Sequence, residues 1–210
     1  MSAPQETTGC VVGDDGRARC WWPGGDPLYV AYHDLEWGRP VGDDALLFEH
    51  LCLEAFQAGL SWLIVLRKRA AFRRAFHGFD PARVASMGPA DVERLMGDAS
   101  IVRNRKKIEA VVHNAGRCLA LQAEAGSLAA FLWRYEAPAL PAPTSRADLP
   151  ATSPESHALS KALKSRGWRF AGPTGTYACM QAVGIVNDHL AGCSVRADCE
   201  HARAGFARPI

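Results

Sequence analysis

A single carboxylate stands inside an otherwise apolar stretch, and a tryptophan follows it eight residues later. Glu54 is flanked by Leu53 and Ala55, and Trp62 comes after a Gly-Leu-Ser sequence. A buried charge without a partner is costly, so such an acid is normally paired, protonated or functional. The glycine and serine predict a break between two helices, which would place Glu54 and Trp62 near each other at a corner. The alternative is a core helix whose Glu54 reaches solvent.

Cysteine and histidine residues form two mixed pairs at opposite ends of the chain. The pairs are Cys20 with His33, thirteen residues apart, and His189 with Cys193, four apart. Two thiolates and two imidazoles suit tetrahedral zinc, and four protein ligands leave no position for water. The pattern therefore predicts a structural zinc that joins the N- and C-terminal segments. Two alternatives stay open: the four residues are unrelated, or a weaker pair forms between Cys199 and His201.

Two further groups of residues are candidates for binding. Tyr29, Tyr32 and Trp37 crowd an irregular segment, which predicts either a pocket lining or a loop that anchors the core. Basic residues form two runs, at 67–74 and at 103–107, the second after a tight connection between two helical patterns. Such a basic hairpin before a helix N-terminus is suited to DNA phosphates. The alternative is that each run is a solvated helix face.

The elements that must position these residues are helical. Apolar residues recur at helical spacing from Asp43 nearly to Gly126, strand patterns are almost absent, and we predict an all-α fold. Asp43 and Asp80 are expected helix N-caps, and Thr152 with Glu155 is an expected capping box. Residues 1–18 are polar and aperiodic, which predicts a disordered leader; residues 19–193 form the helical domain, and 194–210 a frayed C-terminal tail.

Composition excludes several classes of protein. The 210 residues are 48% hydrophobic, with no apolar run of eighteen and no pattern of a signal peptide, so we expect no membrane span and a cytoplasmic location. Seven cysteines, an odd number, disfavour a disulfide framework. The formal charge of +2 is unevenly distributed, since residues 1–54 are strongly acidic and residues 55–210 strongly basic. The basic excess favours a polyanionic partner.

Several motifs, in the same order, resemble the 3-methyladenine DNA glycosylase I family of the helix-hairpin-helix superfamily. They are Arg19-Cys20 with Trp22, then 26–38, 53–62, 79–81, 101–105, 159–164, 180–182 and 186–189. The resemblance covers roughly residues 19–193. It implies a helical glycosylase fold of two lobes, with zinc on Cys20, His33, His189 and Cys193. It also implies a base pocket built from Glu54 and Trp62, with Trp22, Tyr29, Tyr32 and Trp37 around them.

The same resemblance implies base excision repair. The expected reaction is hydrolysis of the N-glycosidic bond of 3-methyladenine in alkylated double-stranded DNA, with extrusion of the nucleotide and release of the free base. The catalytic candidate is Glu54, and the expected DNA contacts are Leu60 as a wedge and Arg103, Arg105, Lys106 and Lys107 in the hairpin. We find no lysine suited to be a nucleophile, so we expect a monofunctional enzyme acting as a monomer.

The chain also departs from the family at the hairpin. Ser100 and Lys106 stand where the family commonly has glycines, which would alter the phosphate grip. Two other readings stay open at this point. One is a non-catalytic, zinc-stapled helical protein that binds DNA, and the other is a zinc hydrolase with an open metal position.

Overall fold

The computed structural model describes residues 9–138 and 141–209, which fall into two compact units. The first unit is drawn from Met1–Pro40, Glu136–Ala151 and Met180–Ala207, and the second from Val41–Tyr135, Thr152–Cys179 and Arg208–Ile210. Helices dominate the described residues, as the sequence predicts. The chain therefore leaves the first unit after residue 40 and returns to it twice, so residues from the N-terminal part and from 180–207 belong to the same unit.

The second unit is built on two helices joined at a corner, α2 (Asp44–Gln57) and α3 (Trp62–Ala75). Both expected caps form: the side chain of Asp43 accepts a hydrogen bond from the backbone N–H of Leu46, and Asp80 caps the helix that begins with Pro81. The short helices α4 (Pro81–Ala85) and α5 (Pro89–Gly97) precede the long α6 (Arg105–Ala125) and α7 (Leu128–Trp133). Four buried rings fill the core: Phe56, Phe72, Phe76 and Phe79.

Two more helices complete this part of the chain, α8 (Pro154–Ser165) and α9 (Pro173–Ala182), the latter running from the second unit into the first. The expected capping box at Thr152 and Glu155 is wrong by one residue. Ser153 caps α8 and exchanges hydrogen bonds with Ser156, because Pro154 occupies the first helical position. Short 3₁₀ turns occur at His77–Phe79 and Arg146–Asp148.

The first unit contains an antiparallel hairpin, β1 (Cys10–Val12) and β2 (Ala18–Cys20), followed by α1 (Pro27–Leu35). This corrects the predicted disordered leader. Residues 1–8 lie outside the described residues, but residues 9–18 are ordered because Cys10 pairs with Cys20 and packs into a buried cluster. A strand of only three residues is too short to show a periodic pattern in this polar sequence.

The predicted frayed tail is also wrong, because α10 (Arg196–Gly205) follows the last metal-ligand candidate. Asn187 donates a hydrogen bond to Glu200 at 2.8 Å, and Arg203 forms an ion pair with Glu136 at 3.0 Å. Cys199 is buried on this helix. Among the helices of residues 9–138 and 141–209, none has the length and apolar character needed to cross a bilayer.

Candidate functional site

Glu54 lies on α2, between the buried side chains of Leu53 and Ala55. It is half-buried and lines a small cavity of about 10 Å³ together with Trp168, Phe170 and others of the second unit. Desolvation raises the pKa of Glu54 to about 8, and no neighbouring charge or hydrogen bond contributes to the shift. A carboxyl group in this state is poised to lose its proton when a cation arrives beside it.

The corner after α2 places the predicted aromatic partner on the same side of the helix. Gly59 takes a positive φ of 85°, which an L side chain rarely adopts, and Ser61 is the N-cap residue of α3 although its side chain makes no capping bond. Trp62, the first residue of α3, is buried and lies nearly parallel to the ring of His50, with 6.5 Å between centroids. His50 is one turn before Glu54, so the two side chains share a face of α2.

Leu60 lies at the tip of this corner and exposes 38% of its surface. Single exposed apolar residues are common on protein surfaces and carry no functional signal by themselves. The position fits the wedge predicted from the sequence.

The basic hairpin does not present all of its residues in the same way. Arg103 and Lys106 are exposed, and Arg105 makes a two-point ion pair with Glu93 at 2.7 Å for each bond. Lys107 is buried, and its ammonium group donates to the backbone carbonyl groups of Phe56 and Ala58 at 2.9 and 2.7 Å. The assignment of Lys107 to DNA phosphates is therefore wrong. It caps the C-terminal carbonyl groups of α2, which have no partner within the helix.

The residues that replace the family's glycines are accommodated without strain. Neither Ser100 nor Lys106 has a positive φ, and Lys106 lies within the first turn of α6. The Ser100 backbone N–H and hydroxyl both donate to Asp98, at 2.8 and 2.6 Å. Lys68 of α3 donates to the carbonyl groups of Ala99 and Ser100, at 3.0 Å each. These bonds hold the hairpin against α3.

The two cysteine–histidine pairs meet in the first unit as one buried cluster. All four ligand atoms lie within 4.8 Å of one another, and the cluster consists of Cys20, His33, His189 and Cys193. The Cys193 sulfur is 3.6 Å from His33 Nε2 and 3.5 Å from His189 Nδ1, and the Cys20 sulfur is 3.8 Å from His189 Nδ1. A tetrahedral metal with bonds of about 2.3 Å to sulfur and 2.0–2.1 Å to nitrogen separates sulfur from nitrogen by about 3.6 Å. The donor set fits a four-coordinate metal ion.

Hydrogen bonds outside the cluster set the tautomer of each imidazole. His33 Nδ1 bonds to Asp34 Oδ1 at 2.7 Å, which leaves Nε2 facing Cys193. His189 Nε2 bonds to the backbone carbonyl of Trp37 at 3.0 Å, which leaves Nδ1 facing both sulfurs. Each imidazole therefore offers its unprotonated nitrogen to the centre of the cluster.

A network of charged side chains, which the sequence pattern did not predict, continues outward from Asp34. The guanidinium of Arg19 donates to both oxygens of Asp34 at 2.8–3.0 Å and to Asp15 of the hairpin turn at 2.6 and 2.8 Å. Arg17 donates to Asp34 at 3.1 Å. The signals present in the sequence were the aspartate directly after His33 and the alternate arginines before Cys20. The weaker pair of Cys199 and His201 does not form, since Cys199 points to the Trp37 carbonyl and His201 is exposed.

The predicted pocket aromatics form a cluster of their own in the first unit. The ring of Trp22 lies 4.9 Å from Tyr29, 6.3 Å from Tyr32 and 5.1 Å from Trp37, measured between centroids. Trp37 also packs edge-on against His189 at 4.7 Å, so its ring supports a ligand of the metal cluster. The predicted site residues thus fall into two sets, with Glu54 and Trp62 in the second unit and these four aromatics in the first.

Comparison with known proteins supplies the wider context. The sequence profile of the methyladenine glycosylase family matches residues 22–197. The chain is 49% identical over 177 residues to DNA-3-methyladenine glycosylase 1 of Escherichia coli, covering 83% of this chain and 95% of that protein. It is 44% identical over 177 residues to DNA-3-methyladenine glycosylase of Haemophilus influenzae, covering 83% and 96%.

Solved structures agree with the sequence comparison. One is a variant of 3-methyladenine DNA glycosylase I in complex with 3-methyladenine, with a TM-score of 0.81, 37% identity, and coverage of 85% of this chain and 97% of that one. Another describes 3-methyladenine recognition by the Staphylococcus aureus protein, with a TM-score of 0.79, 38% identity, and coverage of 82% and 93%.

The raised pKa of Glu54 has a consequence for stability. The folded protein keeps a proton on Glu54 up to a pH of about 8, whereas the unfolded chain loses it near 4.5. The folded state binds more protons in this window, so the free energy of unfolding falls as pH rises through it. Glu54→Gln removes the effect, and we expect the variant to match the wild type near pH 4.5 and to exceed it in stability at pH 8.5.

The measurement is urea denaturation of both proteins at pH 4.5, 6.5 and 8.5. Glu124→Gln is the control, because the Arg166 guanidinium lowers the pKa of Glu124 and the sign of its effect is opposite. Parallel pH curves for wild type and Glu54→Gln would show that Glu54 is solvated in the folded protein.

The Asp34 network predicts a graded effect on metal binding. Cys193→Ala should lose the metal and unfold at a markedly lower temperature, because the binding free energy of a structural metal is part of folding. Asp34→Asn should keep the metal but hold it about 10–100-fold more weakly, since the loss of a group that orients a ligand typically has this cost.

These effects are checked by metal analysis of the purified protein and by the rate of metal loss to a chelator. Asp14→Asn is the control, because Asp14 is an exposed aspartate of the turn between β1 and β2, next to Asp15. Wild-type retention in Asp34→Asn would mean that the tautomer of His33 is set without this carboxylate.

Proposed function

The chain belongs to the methyladenine glycosylase family, and we propose that it is a monofunctional DNA glycosylase acting on 3-methyladenine in alkylated DNA. The reaction hydrolyses the N-glycosidic bond and releases the free base, as the first step of base excision repair. The observation that carries the proposal is Glu54, a half-buried carboxyl group whose pKa desolvation alone raises to about 8, one helical turn from the residue on which Trp62 stacks. The proposed setting is the cytoplasm, with the protein as a monomer.

Selection of the damaged base follows from charge. Adenine methylated on its ring nitrogen carries a positive charge in DNA, and normal adenine does not. A cation beside Glu54 favours the ionised carboxylate, which then attracts it in surroundings of low polarity. Stacking of the charged ring on an aromatic face adds roughly 0.5–2 kcal/mol that the neutral base does not receive. The site therefore discriminates against normal adenine without a contact to the methyl group.

The chemical step needs little acid catalysis. The bond between the sugar carbon and the ring nitrogen breaks as its electron pair neutralises the cationic base, which leaves uncharged. Water adds to the sugar carbon and gives its proton to the Glu54 carboxylate or to solvent. The base must first leave the helical stack, and Leu60 at the exposed corner is proposed to fill the gap. Trp22, Tyr29, Tyr32 and Trp37 form an aromatic cluster of the first unit, and a role of this cluster in base binding stays a prediction from the sequence.

The metal in the cysteine–histidine cluster is proposed to be a structural zinc. Support comes from two sulfur and two nitrogen donors at tetrahedral spacing. Its contribution is to hold β2, α1 and the segment after α9 together. A closed set of four ligands argues against a zinc hydrolase with an open position. No specific observation favours the hypothesis of a non-catalytic DNA-binding protein. The release of free base decides between that hypothesis and a glycosylase.

The central test is excision of 3-methyladenine from methylated duplex DNA, followed as released base. We expect the wild type to release it, Glu54→Gln to do so more slowly, and Trp62→Ala to lose more, since stacking of a base on an aromatic is worth about 1–3 kcal/mol. Binding of free 3-methyladenine should weaken in the same order. Both variants should remain folded and retain the metal, because neither residue is a ligand.

No release of base by the folded, metal-loaded wild type would leave only the DNA-binding reading. Wild-type excision and binding by Glu54→Gln would mean that Glu54 is a tolerated polar group and that the pocket lies elsewhere.

The hairpin supports a second prediction, which separates phosphate contacts from structural lysines. Arg103→Ala and Lys106→Ala should each lower the salt dependence of DNA binding by about one unit of slope, because each exposed cation releases about one counterion. Arg105→Ala should do the same only if Glu93 gives up its ion pair on binding. Lys107→Ala should leave the slope unchanged and reduce the melting temperature.

The measurement is DNA affinity over a range of salt concentrations, with thermal unfolding alongside. Lys107→Ala serves as the matched control from the same helix turn. An unchanged slope in Arg103→Ala and Lys106→Ala would show that the run is a solvated turn.

A further inference from the structure

Phe170 has a backbone conformation that bulky residues seldom adopt. Its φ is 55°, in the left-handed region that favours glycine, and its side chain is 46% exposed. The backbone of this large aromatic residue is strained, and much of its side chain is exposed to solvent. Strained residues of this kind persist where the surroundings enforce them, and they concentrate at functional sites.

The surroundings of Phe170 do enforce its position. Asn114 of α6 makes two hydrogen bonds with the preceding residue, donating to the carbonyl of Arg169 and accepting from its N–H, both at 2.9 Å. The hydroxyl of Ser160 on α8 donates to the carbonyl of Ala171 at 2.6 Å. Asn114 and Ser160 are both buried. The residues on either side of Phe170 are therefore anchored to two different helices, and the ring is held outward.

The ring lies beside the proposed catalytic carboxylate. Phe170, Trp168 and Glu54 line the same cavity, which at about 10 Å³ has room for about one water molecule and none for a base. The exposed part of the ring must therefore contact something outside this cavity. Three exposed cations, Lys161, Lys164 and Arg169, are close to Phe170 in sequence, and exposed cations favour a polyanionic partner.

We propose that Phe170 is a DNA-contacting residue whose ring stacks on a base of the duplex next to the extruded nucleotide. The proposal rests on the glycosylase function given above and adds a positioning residue to it. When a nucleotide leaves the helix, the neighbouring base loses a stacking partner, and an aromatic ring held rigidly outward replaces it without first being ordered. The hydrogen bonds of Asn114 and Ser160, which enforce the strained backbone, keep the ring in this position before DNA arrives.

The experiment measures binding to a duplex that carries a stable abasic-site analogue, which holds no base and therefore reports only the contacts to DNA. Phe170→Ala and Phe170→Gly should bind roughly 5- to 150-fold more weakly, the range expected for one lost stacking contact. Phe170→Trp should restore most of the affinity. Phe170→Gly should melt no lower than Phe170→Ala, because glycine tolerates the positive φ. Binding of free 3-methyladenine should stay at the wild-type level in all three.

Leu119→Ala is the matched control, since Leu119 of α6 is a 37% exposed apolar residue. Wild-type affinity of Phe170→Ala and Phe170→Gly for the abasic duplex would overturn the proposal, as would failure of Phe170→Trp to restore binding in a folded protein. Weaker binding of free 3-methyladenine would also overturn it, because the ring would then serve the base and not the duplex. Failure of the wild type to excise base counts against the glycosylase function and leaves this DNA-binding comparison intact.

Discussion

The first unit depends on one constraint, which is that residues 20–33 and residues 189–193 meet in one buried cluster. Cys20 and His189 are separated by 169 residues, yet their side chains lie 3.8 Å apart. Bringing such distant segments together costs conformational entropy, and the metal ion proposed above would offset that cost by binding all four side chains. The hairpin turn, Arg19 and Asp34 then hold one ligand in the tautomer that the metal requires. The order of the N-terminal hairpin and the metal cluster are parts of one arrangement.

In the second unit, the corresponding constraint is a partly buried carboxyl group on the core helix α2. Its packing is that of a core helix, with Leu47, Phe48 and Phe56 fully buried. Glu54 on this helix is partly removed from water, and among the described residues no hydrogen bond contributes to its raised pKa. In the proposed mechanism, the same loss of hydration makes the carboxyl group responsive to a cation, so the feature that lowers stability is also the one that would select a charged base. Recognition by charge needs a polar group kept away from water.

Sequence reasoning succeeded where chemistry is written in residue type and spacing. The Asp43 cap and the corner before Trp62 are encoded by local patterns, and the spacing of Cys20, His33, His189 and Cys193 predicted the buried cluster that could hold a metal ion. It failed where the outcome depends on distant contacts. In the sequence, Lys107 cannot be distinguished from the other cations of its basic run. Only the structure shows that its ammonium group donates hydrogen bonds to backbone carbonyl groups at the end of α2. The strands at residues 10–12 and 18–20 are too short for periodicity to reveal, and their order comes from packing against the metal cluster. The positive φ of Phe170 has no sequence signature, since glycine is the residue expected there.

The lysine that sequence reasoning placed on DNA has a mechanical role in the fold. Lys107 sits in the first turn of α6, directly after the exposed Lys106, and its ammonium group grips the last turn of α2 just before Gly59 and Leu60. The hairpin and the corner are therefore cross-braced across a short span, with little freedom to move separately. A protein that binds the DNA backbone at one point and inserts a side chain into the duplex at another needs a constant distance between these two points. In the proposed DNA complex, the hydrogen bonds of Lys107 would fix the spacing between the phosphate contacts of the hairpin and the point at which Leu60 enters the duplex.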